Sequence, residues 1–411
     1  MRIAINAQLL SYSDSYRNGG ISRYIRQLLT AIAKQPGQHE YTVFVNGQET
    51  VKRLRQEHEQ AAQMEYIPVY WPENRPASRV VWEQRHLPAL LRERRIEVFH
   101  SPANVLPEML PRECASVVTL HDLAFLLYPE VLTRAKRVYH RIFTTRSLRR
   151  ATMIIAVSHS TKKDAVKLVG IAPGRVQTVY TCIDERFSNV ITNEEKQTFY
   201  RQHGLDGGYL LYLGTLEPRK NIPTLLEAYR ELREVYSRKE KLALVGGKGW
   251  LYDETFAKAQ SLGLASEVLF PGYVSNEEQL LWYHGASAFA YPSLYEGFGL
   301  PVAESLACGV PVVTSNVSSL PEAGGDLALT VDPLDSHALA AALQRALTDT
   351  ILRRRCRELA PTVSQRFSAQ VMAQQTIAVY EQAAALHRAR RQKREATLAR
   401  WLRIPGKQGH I

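Results

Sequence analysis

The amino-acid sequence predicts an α/β protein built from two doubly wound, Rossmann-like domains that face a cleft. Three observations carry this reading. The 411 residues exceed the roughly 100 to 200 of one ordinary domain. Short β-branched apolar runs alternate with longer amphipathic stretches from end to end, the pattern of a parallel sheet covered by helices on both faces. The alternation comes in two series, separated by a polar stretch from Asp184 to Gly208 with few apolar anchors.

In the first series the expected strands are Ile3-Ala4-Ile5, Tyr41 to Val45, Val98-Phe99, Ser116 to Leu120, Met153 to Val157 and Val176 to Tyr180. Each is followed within a few residues by a helical pattern or by a Gly/Pro/Asn turn. The second series holds Tyr209 to Leu213, Leu242 to Val245, Val268-Leu269-Phe270, Ala288 to Tyr291 and Val310 to Thr314. These series place an amino-terminal domain at 1–190 and a second at 191–365. The remainder, 366–411, opens with a long helical pattern from Phe367 and turns strongly basic after Leu386.

Composition narrows the function classes. With 45% hydrophobic and 22% charged residues, each half can bury a core, and wholesale disorder is excluded. Cys114, Cys182, Cys308 and Cys356 form no C-x-x-C pair and no Cys/His cluster, which argues against a disulfide framework or structural zinc and fits a reducing cytosol. The apolar stretch Ile3 to Leu10 is short and broken by Asn6 and Gln8, unlike a signal peptide. No run approaches the roughly 18 apolar residues of a membrane span. The expectation is a cytoplasmic protein.

Ligands of doubly wound sheets bind outside the carboxyl ends of the strands. Tyr209 to Leu213 runs into Gly214-Thr215-Leu216-Glu217-Pro218-Arg219-Lys220-Asn221, and Ile222 to Leu232 reads as a helix. Gly214 lets a ligand approach the backbone, and Arg219 with Lys220 suits a phosphate. After Ala288 to Tyr291 comes Pro292-Ser293-Leu294-Tyr295-Glu296-Gly297-Phe298-Gly299-Leu300-Pro301-Val302-Ala303-Glu304. Gly297 and Gly299 leave backbone N–H groups unshielded, and Pro301 suits the start of a helix that stops at Gly309, so an anion is favoured at this N-terminus. A carboxylate cannot bind phosphate, which leaves Glu296 and Glu304 to accept hydrogen bonds from hydroxyls, such as those of a sugar and a ribose. Taken alone, Glu304 also reads as a first-turn acid complementing the helix dipole.

Glu296 and Glu304, with seven residues between them and Gly-Phe-Gly-Leu-Pro inside, resemble the E-x7-E motif of family four retaining glycosyltransferases of GT-B fold. Gly214 to Asn221 resembles its mannosyltransferase-like members. Asn18-Gly19-Gly20-Ile21 after the first strand, His121-Asp122 after the fourth and Val157-Ser158-His159-Ser160 after the fifth extend the resemblance over nearly the whole chain. It implies that Arg219 and Lys220 hold the donor diphosphate, with Gly214 in the same loop. Glu304 would hold the ribose and Glu296 the donor sugar, with backbone N–H groups of Phe298, Gly299 and Leu300 near sugar and phosphate. Gly19 and Gly20 would open the first helix toward the diphosphate, and His121 would reach the sugar from across the cleft. The base would pack near Gly272-Tyr273-Val274-Ser275, giving Val274 a donor-binding role. The resemblance also implies that 1–190 is the acceptor-side domain and 191–365 the nucleotide-sugar donor-binding domain, that a final helix crosses back to the first domain, and that substitution is front-face, the leaving phosphate helping to deprotonate the acceptor.

Simpler readings stand beside several of these. His121 next to Asp122 can be a hydrogen-bonded structural pair, and Ser158-His159-Ser160-Thr161 reads first as a helix N-cap. Gly246-Gly247-Lys248-Gly249 lacks Walker A spacing and reads as a strand-end turn that borders the donor. No G-x-G-x-x-G opens a first helix, against a dinucleotide oxidoreductase. No D-x-D occurs, so no cofactor and no metal are expected, and protein cations would replace Mg²⁺.

The net charge of +12 is concentrated. Val131 to Arg150 holds Arg134, Lys136, Arg137, Arg141, Arg146, Arg149 and Arg150 and no acid, interleaved with Val138, Tyr139, Ile142, Phe143 and Leu148 as on an amphipathic helix. After Leu386 come Arg388, Arg390, Arg391, Lys393, Arg394, Arg400, Arg403 and Lys407 against Glu395 alone. Aliphatic partners and the lack of any recognition motif argue against nucleic acid. Trp401 and Leu402 suit a membrane interface. Arg134, Arg137, Arg141, Arg390, Arg394 and Trp401 therefore make an expected contact with anionic lipid, on the inner face of the membrane.

Together with the resemblance, these features point to a retaining transferase that moves a hexose from a nucleotide sugar, GDP-mannose first by resemblance, to a glycan acceptor expected to be lipid-linked, in bacterial surface polysaccharide assembly. Three alternatives remain open on sequence: a GT-B sugar phosphorylase or epimerase, a non-catalytic nucleotide-sugar-binding protein associated with the membrane, and an adaptor built on basic helices.

Overall fold

A computed structural model of the chain describes residues 1–12, 19–35, 37–71, 76–129, 133–205, 208–247 and 252–402. Asn18, Val131, Lys248, Gly249, Arg403 and Lys407 lie outside the described residues, as do the side chains of Lys136, Arg400, Trp401 and Leu402. Seven strands make the first sheet: β1 (Arg2–Asn6), β2 (Glu40–Asn46), β3 (Met64–Val69), β4 (Val98–Ser101), β5 (Ala115–Leu120), β6 (Met153–Ala156) and β7 (Val176–Thr178). They lie in the order β3-β2-β1-β4-β5-β6-β7, with every neighbouring pair parallel. The second sheet holds β8 (Tyr209–Leu213), β9 (Lys241–Val245), β10 (Val268–Gly272), β11 (Ala288–Tyr291), β12 (Val312–Ser315) and β13 (Ala328–Val331), ordered β10-β9-β8-β11-β12-β13 and again all parallel. In both sheets the order reverses beside the first strand, between β1 and β4 and between β8 and β11. These are the switch points at which such sheets bind ligands.

The central strands are buried on both faces, which is why they read as continuous apolar runs. All six residues of β5 are buried. On one face of the first sheet Ile3, Ile5, Val43, Val117 and Ile155 join one core, while Ala4, Phe44, Phe99, Val118 and Ile154 join another on the opposite face. The alternation within β1 follows from the two-residue period of a strand. The second domain has its own core of Leu211, Leu225, Tyr229, Ala243, Phe289, Val313 and Leu343 among others.

Two strands are additions to the sequence reading, β3 and β13, and both are edges. Met64–Val69 contains Pro68, tolerated only where a strand has a free side, and Ala328–Val331 is only half buried. With β3 counted, His121 follows the fifth strand and Ser158 the sixth. Helix His159–Val169 begins as expected, its N-cap Ser158 accepting from the Thr161 N–H at 2.9 Å.

The final helix, Ala369–Leu402, crosses to the first domain. Met372, Ala373, Thr376, Val379, Tyr380, Ala383 and Ala384 are buried, spaced three and four apart along one face, and pack beside helix Gly20–Ala33. Tyr380 is tied to the fully buried His100, hydroxyl to Nδ1 at 2.7 Å, and His100 Nε2 meets Thr119 Oγ1 at 2.8 Å. Burial pushes His100 down to about 3, so the ring is neutral.

The basic segment of the first domain is not one regular α-helix. Arg134–Tyr139 passes into a π-helical turn, His140–Thr144, before Thr145–Arg150. Arg146 and Arg150 pair with Glu108 at 2.9 and 2.7 Å, whereas Arg134 and Arg141 are exposed beside Val138 and Ile142, which are 56% and 53% exposed. The final helix runs close by. His387 Nε2 donates to the Arg112 carbonyl at 2.9 Å. Arg175, whose guanidinium donates to the Leu148 and Arg149 carbonyls at 3.2 and 3.0 Å, is lowered by burial and then by the charge of Arg390. Among the described residues no helix is long and apolar enough to cross a membrane.

Tyr380→Phe leaves His100 buried without its hydroxyl partner and should lower stability to urea by about 1–3 kcal/mol. An unchanged midpoint would show that this contact does not fasten the crossing helix.

Candidate active site

The Gly214 loop and the Pro292–Gly299 loop leave β8 and β11 side by side at the second sheet's switch point. Asn221, in the left-handed region at φ 58°, joins them: its Nδ2 donates to the carbonyls of Pro292 at 3.2 Å and Pro333 at 2.6 Å. Gly246 closes in from β9. A Cβ there would lie 2.1 Å from the Gly214 carbonyl oxygen, so only glycine permits this approach, and the turn borders the loop of Gly214.

At the centre lies a buried charged cluster. Glu296 Oε1 accepts from Lys220 Nζ at 2.5 Å and from the Tyr291 hydroxyl at 3.2 Å, and Oε2 accepts from Arg219 Nη1 at 2.8 Å. Arg219 Nη2 also meets Glu217 at 2.7 Å, and Lys220 Nζ donates to the Tyr291 hydroxyl at 2.7 Å. Burial disfavours the charge on Glu296, but Lys220 and Arg219 outweigh it and hold the carboxyl at about 2. Burial pulls the Lys220 ammonium below the ordinary lysine value, with Glu296 opposing. Arg219 is held above its ordinary value, Glu296 and Glu217 overcoming burial. A carboxylate offers about four lone-pair positions; among the described residues three are occupied on Glu296, and the fourth, on Oε2, has no donor.

Glu304, in helix Leu300–Ala307, is 2% exposed, so it is no solvated first-turn acid. Its Oε1 takes Arg23 Nη1 of the first domain and its Oε2 the Tyr283 hydroxyl, both at 2.9 Å, which leaves two lone-pair positions without a donor among the described residues. Arg23 is in the first turn of helix Gly20–Ala33, which opens at Gly19 with no side-chain cap; a Cβ at Gly20 would meet nothing within 4 Å. Gly299 is the uncapped N-cap of Leu300–Ala307 at φ 98°. Phe298 is buried, its ring 5.6 Å from Tyr180 and 5.2 Å from Phe367. Val274 is half-buried against the core of the second domain, beside Ser275, the N-cap of helix Asn276–Gly285.

The first domain closes on this cluster through backbone contacts. A Cβ at Gly297 would lie 1.9 Å from the His121 carbonyl oxygen, so glycine is required where the two loops touch. His121 is half-buried; desolvation of the ring lowers its pKa, and its Nε2 lies 2.7 Å from the Pro102 carbonyl. A carbonyl only accepts, so the proton is on Nε2 and Nδ1 carries the lone pair. Asp122 is not the partner of His121; its carboxylate accepts from the Ala124 N–H at 3.0 Å. Tyr295 bridges the domains, accepting from the Leu123 N–H at 3.3 Å and donating to Asp164 at 2.8 Å. Glu322 accepts from the N–H groups of His159 and Ser160, both at 2.7 Å.

Sequence reasoning missed Arg23, Tyr283, Tyr291, Tyr295 and Glu322, together with Ser318 and Ser319, which fasten the Glu296 backbone at 3.0 and 2.8 Å. Tyr291 ends β11 and the two serines follow β12, so the rule of strand ends could have found them. Arg23, Tyr283 and Glu322 carry no local signal, because their partners are 281, 21 and about 160 residues away.

Two family models match the chain, Glycosyltransferase Family 4 over residues 18–187 and Glycosyl transferases group 1 over 193–363. The O-antigen chain mannosyltransferase B of Escherichia coli is 33% identical over 291 residues, covering 71% of this chain and 76% of that protein. The serotype-specific mannosyltransferase WbdA of Escherichia coli is 25% identical over 397 residues, 90% of this chain, which spans only 46% of WbdA. Among solved structures, Anabaena HepE in complex with UDP and glucose superposes with a TM-score of 0.68 at 17% identity, covering 93% of this chain and 100% of that one. The order of strands, the paired loops at the second switch point and these matches agree: the chain belongs to the family four glycosyltransferases of GT-B fold, among their mannosyltransferase-like members.

Proposed function

We propose that this glycosyltransferase moves a hexose, mannose from GDP-mannose first, from a nucleotide sugar to a glycan acceptor in surface polysaccharide assembly, with retention at the anomeric carbon. The observation that carries the reading is the Glu296–Lys220–Arg219 cluster, buried at a switch point and facing His121 across Gly297. The donor diphosphate draws on Lys220 and Arg219, whose charges stabilise the leaving group as its negative charge grows. A sugar hydroxyl donates to the free lone pair of Glu296 Oε2, another to Nδ1 of His121, and ribose hydroxyls to the open positions of Glu304. Substitution runs on the front face, the departing phosphate taking the acceptor proton, so Glu296 orients the sugar without becoming a nucleophile. Closure of the first domain excludes water that would hydrolyse the donor. The protein cations stand where Mg²⁺ would otherwise serve, and no metal is required.

The acceptor of this reading is lipid-linked and the enzyme peripheral on the cytoplasmic face of the membrane. In its support, exposed Arg134 and Arg141 flank exposed Val138 and Ile142, Arg390 acts on Arg175, which is bonded to the Leu148 and Arg149 carbonyls, and Arg394 is exposed one turn further along the final helix. Each such cation near anionic lipid contributes at most about 1 kcal/mol, and the attraction falls with salt.

Arg219→Ala or Lys220→Ala should cut turnover of GDP-mannose, assayed with chelator present, by about a hundredfold or more. Near-normal turnover in both variants, or none from the wild type until a divalent metal is restored, would overturn this assignment. Co-sedimentation with anionic vesicles should be strong at low salt, weak at high salt and reduced in a chain ending at Leu386. Equal sedimentation of both chains would remove the tail from the docking surface.

A further inference from the structure

Beneath the site a chain of buried hydrogen bonds runs from the crossing helix toward His121, and the proposed transfer uses none of its members. Tyr24, His100, Thr119 and Tyr380 are all buried. They come from helix Gly20–Ala33, β4, β5 and helix Ala369–Leu402. The Tyr380 hydroxyl meets His100 Nδ1 at 2.7 Å, His100 Nε2 meets Thr119 Oγ1 at 2.8 Å, and the same Oγ1 meets the Tyr24 hydroxyl at 3.2 Å. Phe, Leu and Val would fill such a volume without desolvating hydroxyls and an imidazole. A buried polar network stabilises only while its members keep their partners, and it then fixes one arrangement of the groups around it.

What this network fixes is His121. The Tyr24 ring stands edge-on to the imidazole, with centroids 5.0 Å apart and planes at 88°, a favourable arrangement of two rings. The Thr119 carbonyl accepts from the Asn104 N–H at 3.2 Å. Asn104, in the left-handed region at φ 59°, in turn accepts the His121 N–H on its Oδ1 at 3.2 Å. Pro102, whose carbonyl takes the Nε2 proton of His121, lies two residues past His100. After burial, the charge of His121 is the influence that lowers His100, so the two rings are electrostatic neighbours.

Thr119 is the hub, its hydroxyl serving His100 and Tyr24 and its carbonyl serving Asn104. Ring plane and backbone of His121 are thereby both held, which leaves Nδ1 with a fixed aim. Tyr24 also follows Arg23, whose guanidinium meets Glu304 at 2.9 Å. Adjacent residues of one helix therefore touch the histidine and the carboxylate assigned to the two ends of the donor.

We propose that Thr119 and Tyr24 are positioning residues for His121, and that His100 and Tyr380 tie them to the crossing helix, so that this helix sets the angle at which His121 meets the donor sugar. The assignment rests on the transfer reading above. Its test measures GDP-mannose turnover and, separately, affinity for GDP, which lacks the sugar that His121 would contact. Thr119→Val, which keeps the volume and loses the hydroxyl, and Tyr24→Phe, which keeps the ring, should each lower kcat/KM for GDP-mannose by about tenfold. GDP affinity should stay within about twofold of wild type. Thr119→Ser, smaller but still a hydroxyl, should recover most of the loss; a role in packing alone predicts the opposite order, with valine normal and serine impaired. Tyr380→Phe should lower kcat/KM in the same direction. If Thr119→Val does not fold, Tyr24→Phe decides the matter. Normal turnover in Thr119→Val and Tyr24→Phe, or GDP affinity falling in step with turnover, would overturn the proposal, and normal turnover in Tyr380→Phe would overturn the link to the crossing helix. Normal turnover in His121→Ala, or none in the wild type, would overturn the transfer reading itself, and the positioning role with it.

Discussion

The ion pairs of Glu296 with Lys220 and Arg219 govern this structure. Removing charges from water is costly, and a buried pair is tolerated only when its geometry and further hydrogen bonds repay the loss. Here Tyr291, itself fully buried, donates to the same carboxylate, and Glu217 holds the far side of Arg219. The surrounding backbone is fastened to keep these partners in place. Asn221 joins the two loops, Ser318 and Ser319 clasp the Glu296 peptide, and Arg219 reaches the Tyr295 carbonyl. The cations of the cluster are thus fixed in place and partly neutralised, as the proposed diphosphate role requires. Dipoles and charges fixed before reaction are what electrostatic catalysis requires.

The same loop sets the relation between the domains. Gly297 lies against the His121 carbonyl, Tyr295 reaches Leu123 and Asp164, and Glu322 caps helix His159–Val169 from the opposite domain. Arg23 crosses in the other direction to Glu304. Each of these side chains therefore ties one domain to the other. A displacement of about 1 Å between domains changes reaction geometry enough to matter, and the crossing helix, held by Tyr380 at His100, limits such displacement from outside the cleft.

Much of this was legible in the sequence because local chemistry announces it. Two series of apolar runs give two sheets, and Gly214, Gly297 and Gly299 mark loops at strand ends. The missed strands β3 and β13 are edges, where Pro68 and half-exposed residues blur the two-residue alternation. At the site, the spacing of Glu296 and Glu304 was visible, but their partners were not. That Glu296 is neutralised by the very cations read as phosphate ligands is a fact of tertiary packing. Asp122 shows the converse error: proximity in sequence to His121 suggested a pair, while its carboxylate caps the next turn at Ala124.

In the proposed reaction Glu296 competes with the diphosphate for Lys220 and Arg219 and also holds the sugar, a double role that calorimetry of GDP binding to Glu296→Gln tests. The variant keeps the shape of the side chain and removes its charge. It should bind GDP more tightly than the wild type while losing most of its turnover of GDP-mannose. Weaker GDP binding by the variant would contradict the account, since the carboxylate would then be part of the diphosphate's support.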